Sequence, residues 1–255
     1  MNSEKLAEGI YWVGAIDWDI REFHGLSTLK GGTYNSYLIV DEKIVLIDAV
    51  KTTKIDVLLS NISGIVDPAD IDYVISNHAE PDHSGGLARV MEIAKNARLV
   101  ATPNGARRLS EMYRLDWDIL EVKDGDELAT GKRTLKFIHA PLLHWPETMF
   151  TYEGSSRILF SCDAFGAHIA TSERFTDEVG VEETLAFAKK YYAFLVAPFR
   201  KNVLSALDKT KELKIDVIAP SHGPVWRSDL DKIINTYDKW ASREFEDKAT
   251  IVYGT

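Results

Sequence analysis

The feature that most constrains this chain is the stretch from Asn77 to His83, which reads Asn-His-Ala-Glu-Pro-Asp-His. It follows an apolar run at 73–75, typical of a buried strand, and precedes Ser-Gly-Gly at 84–86, typical of a turn into a helix. We therefore predict a tight strand-to-helix loop that carries two imidazoles and two carboxylates. Such groups are costly to crowd together unless a cation neutralises them. The alternative is an ordinary polar surface loop, which this spacing disfavours.

Composition excludes several classes of protein. The chain has 255 residues, 45% of them hydrophobic, which fits one large domain or two small ones. A net charge of -9 without a block of Lys or Arg argues against nucleic acid and anionic membranes as partners. No apolar stretch approaches the ~20 residues of a membrane helix, and no signal peptide is visible. One cysteine, Cys162, excludes an internal disulfide, so we expect a cytoplasmic protein in which this thiol is buried.

Hydrophobic periodicity predicts a mixture of strands and helices. We predict strands at 10–13, 34–40, 44–47, 73–75, 98–101, 119–122, 135–139, 149–152, 158–161 and 217–219. We predict helices at 56–62, 86–94, 103–112, 182–195, 203–213 and 229–245. No internal repeat, low-complexity tract or linker interrupts them. The mixture fits two packed sheets with helices on the outer faces.

Four of the predicted strands end at a residue that can bind a metal. His78 follows the strand at 73–75, and His144, Asp163 and His222 follow three later strands. Loops at one edge of a sheet scaffold are where binding groups converge. We therefore expect these four side chains to meet.

The pattern His-x-Glu-x-Asp-His at 78–83 resembles the H-x-H-x-D-H motif of the metallo-β-lactamase superfamily, with Glu80 where the second His usually stands. That departure is similar to the flavodiiron proteins, a diiron subgroup, rather than to the zinc hydrolases. Segments 24–25, 33–37, 143–146, 163–166 and 221–224 also resemble motifs of that subgroup. The resemblance runs from about residue 9 to residue 237. It implies an α/β (α+β) fold, the αββα sandwich with two mixed β-sheets between outer helices, in one domain spanning residues 1–248.

The resemblance also implies the ligands of two metals. One metal would be held by His78, Glu80 and His144, the other by Asp82, His83 and His222, and Asp163 would bridge them. The three carboxylates offset most of the positive charge of two divalent ions, and a bridging hydroxide would offset the rest. Because carboxylate oxygens favour a metal that reaches the ferric state, we expect two iron ions. Zinc and manganese are the alternatives.

Three further residues resemble pocket-lining positions of the same family. His24 and His168 are expected on the substrate side, against the alternative of ordinary packed or surface histidines. Tyr191 or its neighbour Tyr192 is expected to donate a hydrogen bond there, against the alternative of helix packing. His139, inside an apolar strand, is expected to be structural.

The resemblance implies that the dinuclear site binds O2, and NO as well. Flavodiiron proteins carry a flavodoxin domain whose FMN feeds electrons to the irons. Residues 249–255 resemble only the start of such a domain, so we expect that this chain binds no FMN and no other organic cofactor. Two functions remain open: an oxygen-binding or sensing protein with a signalling partner, or the diiron half of an O2/NO reductase served by an external flavoprotein or rubredoxin-type donor. We expect a homodimer in either case.

Two other classes of function are the alternatives. A dinuclear zinc hydrolase is disfavoured because such enzymes usually keep a His at the position of Glu80 and activate a hydroxide on zinc. A scaffold with a vestigial metal site is disfavoured because every expected ligand is present.

Overall fold

The computed structural model describes residues 3–114 and 116–242. The predicted flavodoxin-like tail at 249–255 and the last three residues of the helix predicted at 229–245 lie outside the described residues. Among the residues described, no helix is both long and apolar enough to cross a bilayer.

Most strands are short, with two to six residues each. The strands are β1 Glu4–Ala7, β2 Ile10–Trp12, β3 Ala15–Asp17, β4 Glu22–Phe23, β5 Leu26–Ser27, β6 Gly32–Tyr34, β7 Tyr37–Val40, β8 Ile44–Ile47, β9 Tyr73–Ile75, β10 Arg98–Ala101, β11 Ile119–Glu121, β12 Glu127–Ala129, β13 Thr134–His139, β14 Met149–Glu153, β15 Ile158–Cys162 and β16 Val217–Pro220.

The first eight strands precede α1, and the remaining helices lie between and after the later strands. The α-helices are α1 Ile55–Ser63, α2 Pro81–Ser84, α3 Leu87–Ile93, α4 Pro103–Tyr113, α5 Thr176–Val179, α6 Val181–Tyr191, α7 Arg200–Thr210 and α8 Leu230–Ser242. Short 3-10 helices span Thr52–Lys54, Pro68–Asp70 and Ala197–Phe199, and a π-helical turn spans Tyr192–Val196.

Two mixed sheets form the centre of the fold. The first has seven strands in the order β1-β2-β7-β8-β9-β10-β11, antiparallel up to β8 and parallel from β8 to β11. The second has five strands in the order β12-β13-β14-β15-β16, with only the last pair parallel. Two small two-stranded sheets, β3-β6 and β4-β5, lie beside them. The predicted pair of mixed sheets is therefore present.

Three apolar layers hold the sheets and helices together. The layer between the sheets contains Ile47 and Val100 of the first sheet and Phe137 and Phe160 of the second. A second layer packs the outer face of the first sheet against α1, α3 and α4. A third packs the outer face of the second sheet against α6, α7 and α8. Helices on both outer faces complete the predicted sandwich.

Some sequence-based boundaries differ from the structure. The helix predicted at 182–195 is α6 only to Tyr191, and the turn that follows is π-helical. The predictions missed β1, β3, β4, β5 and β12, whose two to four residues are too few to reveal a period.

Candidate metal centre

The segment from the end of β9 through α2 carries four of the predicted ligands. His78 and Glu80 lie in the loop, whereas Asp82 and His83 lie in the short helix α2, where the sequence predicts a loop. Pro81 occupies the first turn of α2, where its missing N–H costs nothing, and Glu80 stands at the N-cap. After α2 the backbone passes so close to its neighbours that a Cβ on Gly85 would lie 2.4 Å from the carbonyl oxygen of Pro81. Glycine is therefore required where the loop turns toward α3.

Hydrogen bonds tie this loop of the first sheet to the second sheet. The backbone N–H of Met149 donates to the carbonyl oxygen of Asn77 at 3.0 Å, and the Thr151 hydroxyl donates to the Asn77 side-chain oxygen at 2.8 Å. Asp48, at the end of β8, accepts from the Asn77 backbone N–H at 2.8 Å. These contacts bring the end of β9 against the edge where β13, β15 and β16 end.

The first group of candidate ligands combines two histidines with two carboxylates. Nε2 of His78 lies 3.3 Å from Oε2 of Glu80, and Nε2 of His144 lies 3.0 Å from the same oxygen. Oδ2 of Asp163 lies 3.4 Å from Nε2 of His78 and 3.6 Å from Nε2 of His144. All four donor atoms fall within 4.8 Å of one another.

The second group faces the other oxygen of Asp163. Oδ2 of Asp82 lies 3.2 Å from Nε2 of His83 and 3.1 Å from Nε2 of His222. Oδ1 of Asp163 lies 3.3 Å from Nε2 of His83 and 3.4 Å from Nε2 of His222. Asp163 thus turns one carboxylate oxygen toward each group.

Unpartnered polar atoms indicate that these groups suit metal ions. Within the described part of the chain, Nε2 of His83, Nε2 of His222, both carboxylate oxygens of Asp82 and Oδ2 of Asp163 are buried and make no hydrogen bond. Buried polar groups are nearly always paired, so five unpartnered atoms aimed at one space need an explanation. Imidazole nitrogens and carboxylate oxygens are ligands that Fe and Zn ions accept.

In the metal-free protein, protons take the place of cations. Burial opposes charge on His83, but the charges of Asp82 and Asp163 raise its pKa to about 9. Burial likewise opposes charge on His78, yet its hydrogen bond with Glu147 raises its pKa well above the ordinary value. Burial would raise the pKa of Asp163, but the charge of His83 holds it well below the usual range. The buried carboxylates of the cluster therefore favour positive charge.

Hydrogen bonds at the far side of two rings fix which nitrogen faces the metal space. Nδ1 of His78 lies 2.9 Å from Oε1 of Glu147, and Nδ1 of His222 lies 2.6 Å from the carbonyl oxygen of Thr33. An ionised carboxylate and a carbonyl can only accept, so each Nδ1 carries the proton. In the neutral ring, Nε2 then offers its lone pair to a metal.

His24 and His168 lie beside the two groups, and His24 forms a third set of donor atoms that could hold a metal ion with Glu80 and Asp82. Nε2 of His24 is 3.5 Å from Oε1 of Glu80 and 3.8 Å from Oδ2 of Asp82. Its Nδ1 lies 3.1 Å from Nε2 of His168. Burial, the charge of His222 and that of His24 lower the pKa of His168 well below the ordinary value. His168 is therefore a neutral ring against which His24 packs.

The two tyrosines at the end of α6 differ in their surroundings. The Tyr191 hydroxyl donates a 2.7 Å hydrogen bond to Oδ1 of Asp163. Tyr192 instead packs against Tyr237 and Trp240, with ring centroids 5.0 and 4.9 Å away.

His139 contacts the carbonyl oxygen of Val122 at 3.0 Å, and Cys162 is buried as predicted.

Sequence reasoning missed two residues that position the ligands. Glu147 bonds to His78, and its only sequence signal is a carboxylate that follows His144-Trp-Pro. The side-chain amide of Asn35 donates to the carbonyl oxygens of Pro220 and Gly223 at 2.7 and 2.8 Å, on either side of His222. Asn35 belongs to segment 33–37, which the sequence identifies only as a motif similar to the family's.

Comparison with known proteins shows the same domain elsewhere. The family described as ODP family beta lactamase matches residues 33–223, a range that contains all seven candidate ligands. The nitric oxide reductase of Moorella thermoacetica is 44% identical over 255 residues, which cover 98% of this chain and 64% of that protein.

Solved structures agree with this match. The flavodiiron protein from Giardia intestinalis superposes with a TM-score of 0.93 at 39% identity, covering 96% of this chain and 60% of that chain. The rubredoxin oxygen:oxidoreductase from Desulfovibrio gigas superposes with a TM-score of 0.92 at 34% identity, and the match covers 94% of this chain and 61% of that chain. These matches confirm the predicted fold class. The chain spans about 60% of the length of these three proteins.

Proposed function

The chain belongs to the ODP family of β-lactamase domains and matches the metallo core of flavodiiron proteins, and from this premise we propose that it holds two iron ions for the reduction of NO or O2. The ions would be bound by His78, Glu80 and His144 on one side, by Asp82, His83 and His222 on the other, and by Asp163 between them. When bound, the iron pair supplies electrons and open coordination positions for a diatomic ligand.

One observation carries this proposal: Asp163 turns Oδ2 toward the first group and Oδ1 toward the second, at 3.3 to 3.6 Å from the four nearest imidazole nitrogens. A carboxylate shared in this way suits a pair of metals rather than a single ion. The Tyr191 hydroxyl holds the same carboxylate in place from Oδ1.

Glu80 supports iron rather than zinc. Its Oε2 lies 3.0 to 3.3 Å from both imidazoles of the first group, so it takes a ligand position and adds negative charge there. Mixed imidazole and carboxylate ligation is typical of non-haem iron, whereas zinc has no redox chemistry. The named relatives are NO and O2 reductases, so the alternative of a zinc hydrolase is not favoured.

His24 is the side chain best placed to contact a bound diatomic ligand. Its Nε2 is buried, lacks a hydrogen-bond partner among the described residues and faces the gap between Glu80 and Asp82. Nε2 of His168 contacts Nδ1 of His24 and so orients the His24 ring. His24 would therefore donate a hydrogen bond from Nε2 into the space between the two metal positions.

The centre needs electrons from outside the residues described. Reduction of O2 to water takes four electrons, and two ferrous ions that become ferric supply two. An external donor of the flavoprotein or rubredoxin type would supply the others, and the Desulfovibrio gigas relative is named as an oxidoreductase of rubredoxin and oxygen. The homodimer and the cytoplasmic location remain predictions.

Metal analysis and gas consumption test the proposal together. The protein is expressed with iron in excess, purified without O2 and analysed for iron and zinc. We expect close to two iron ions per chain, together with O2 or NO consumption that requires an added flavoprotein or rubredoxin donor. Zinc alone, or a single metal per chain, would contradict the diiron assignment. Sustained consumption with NADH alone would contradict the need for a donor.

A further inference from the structure

We propose that Glu147 makes the two metal positions unequal, because its negative charge acts through His78 to strengthen binding at the position formed by His78, Glu80 and His144. This inference rests on the proposed dinuclear function and deepens it. Glu147 is a positioning residue, since it lies behind an imidazole ligand rather than at the metals.

Glu147 is held rigidly behind His78. Its Oε1 accepts from Nδ1 of His78 at 2.9 Å and from the backbone N–H of Ala79 at 3.2 Å. Its carbonyl oxygen accepts from the Thr102 hydroxyl at 3.0 Å, and that hydroxyl also caps helix α4. Glu147 is 3% exposed. The two hydrogen bonds to Oε1, from His78 and Ala79, therefore fix the carboxylate in one position.

The His78 ring is also confined from the side. Trp145 packs edge-on against it, with ring centroids 5.1 Å apart and planes at 89°. The guanidinium of Arg108 lies 4.8 Å above the Trp145 ring. The ring can therefore neither rotate nor exchange tautomers without breaking the bond to Glu147.

The second position has no equivalent hydrogen bond from an imidazole to a carboxylate in the described part of the chain. Nδ1 of His222 donates to the neutral carbonyl oxygen of Thr33 at 2.6 Å. In residues 3–114 and 116–242, His78 is the one candidate ligand whose Nδ1 pairs with a carboxylate. Each metal position already has one terminal carboxylate, Glu80 or Asp82. The buried carboxylate of Asp48 acts electrostatically on His83 of the second position and on His78 of the first. Glu147 is therefore the carboxylate that is bonded to an imidazole of one position only.

The consequence for metal binding follows from imidazole chemistry. A carboxylate that accepts the Nδ1 proton raises the basicity of Nε2, and loss of such a partner typically costs ~10- to 100-fold in metal affinity. A neutral carbonyl does so less strongly. We therefore expect the position that contains His78 to fill first when a divalent metal is limiting.

Stepwise titration of the metal-free protein with Co2+ tests this inference, because Co2+ is bound without O2 chemistry and its visible spectrum reports occupancy. The parent protein should show two binding constants. Glu147→Gln keeps an oxygen that accepts from His78 and Ala79 but removes the charge, so the tighter constant should fall ~10-fold and the weaker one should stay. Glu147→Ala also removes the hydrogen bond, so it should reduce the tighter constant further.

Glu153→Gln is the matched control. Glu153 is a fully buried carboxylate at the opposite end of β14, where it accepts from the backbone N–H groups of Ser155 and Ser156. This variant should keep both binding constants even if its stability falls. A long-range 15N spectrum of the Zn2+-loaded Glu147→Gln variant should retain the His78 Nδ1 proton, which separates loss of charge from displacement of the ring.

The outcomes distinguish this inference from the proposed function. If Glu147→Gln changes neither constant, or lowers both by the same factor, Glu147 does not make the positions unequal and the inference is wrong. If the parent binds fewer than two ions, the dinuclear function fails and the inference fails with it.

Discussion

The Tyr191 hydroxyl lies 2.7 Å from Oδ1 of Asp163 and donates a hydrogen bond to it, so the carboxylate that faces both metal positions is anchored by helix α6. Burial, together with the negative charge of Asp163, raises the pKa of Tyr191 well above its usual value. Tyr191 therefore remains a donor at neutral pH. This bond joins the second sheet's outer helix layer to the candidate metal centre.

Loss of this bond should destabilise the metal-free protein. Tyr191→Phe is expected to lower the free energy of unfolding by about 1.5–3 kcal/mol, the usual range for a hydrogen bond to a charged group. Tyr192→Phe is a matched control, because the buried Tyr192 hydroxyl has no hydrogen-bond partner within the described residues. Its removal should cost little. Urea unfolding of both variants measures the two losses of stability. If the losses are equal, the hydrogen bond from Tyr191 to Asp163 does not stabilise the folded protein.

Because Asp163 faces both groups of candidate ligands, its substitution should affect both metal ions. Asp163→Asn should reduce the metal content at both positions, because each of its oxygens faces a different pair of imidazoles. Asp177→Asn, which alters an exposed carboxylate bonded to Arg227, should keep both metals. Metal analysis of the purified variants checks this. A variant that retains one full equivalent of iron would show that Asp163 serves only one ion.

Glu80→His should change which metal the protein prefers. The substitution removes one negative charge and supplies the imidazole that the zinc hydrolases usually carry at this position. Because carboxylate oxygen favours iron that reaches the ferric state, we expect the ratio of bound zinc to bound iron to rise. Competition with equal concentrations of Zn2+ and Fe2+ under anaerobic conditions measures this ratio. An unchanged ratio would mean that Glu80 does not select the metal.

The proximity of the candidate ligands could be predicted from the sequence because their signals are local. The segment 77–83 places four candidate ligands within seven residues, and His144, Asp163 and His222 each follow an apolar strand closely. These strands end at the same edge of the two sheets, so residues that directly follow them lie close together there. The resemblance assigned them to two groups. The structure brings their side chains close together, and it adds His24 beside Glu80 and Asp82.

Residues that position the ligands could not be predicted, because their partners are distant in sequence. Glu147 is 69 residues from His78, and Asn35 is 188 residues from Gly223. A single buried carboxylate or amide has no periodicity, and only the folded sheets show what it contacts. The short strands β3, β4 and β5 were missed for a related reason, since their pairing within two small sheets decides their conformation.

His24 and His168 should affect ligand binding without affecting metal content. His24→Asn removes the Nε2 donor that faces Glu80 and Asp82, and His168→Asn removes the ring that orients His24. We expect the affinity of the reduced protein for NO to fall by ~10- to 100-fold in both variants. His139→Asn, at a ring that contacts Val122 instead, is the control. Loss of iron in either variant would indicate that the residue helps to hold the metals.

The stability of the metal-free protein should fall as the pH rises through the alkaline range. The charges of Asp82 and Asp163 raise the pKa of His83 to about 9 against burial, from an ordinary value of 6.5. A raised histidine pKa stabilises the folded state fully below pH 6.5, and this contribution is lost as the pH passes 9. The shift corresponds to a loss of ~3 kcal/mol in the free energy of unfolding.

Urea unfolding at pH 6.5 and pH 9, the limits set by His83, measures this loss. His83→Asn should remove much of the pH dependence, whereas His139→Asn should keep it, because His139 lies outside both ligand groups. Binding of two metal ions should also remove it, since a metal requires the neutral imidazole and displaces the proton. If the metal-free protein became more stable toward pH 9, the protonated imidazoles would not be what holds the cluster together.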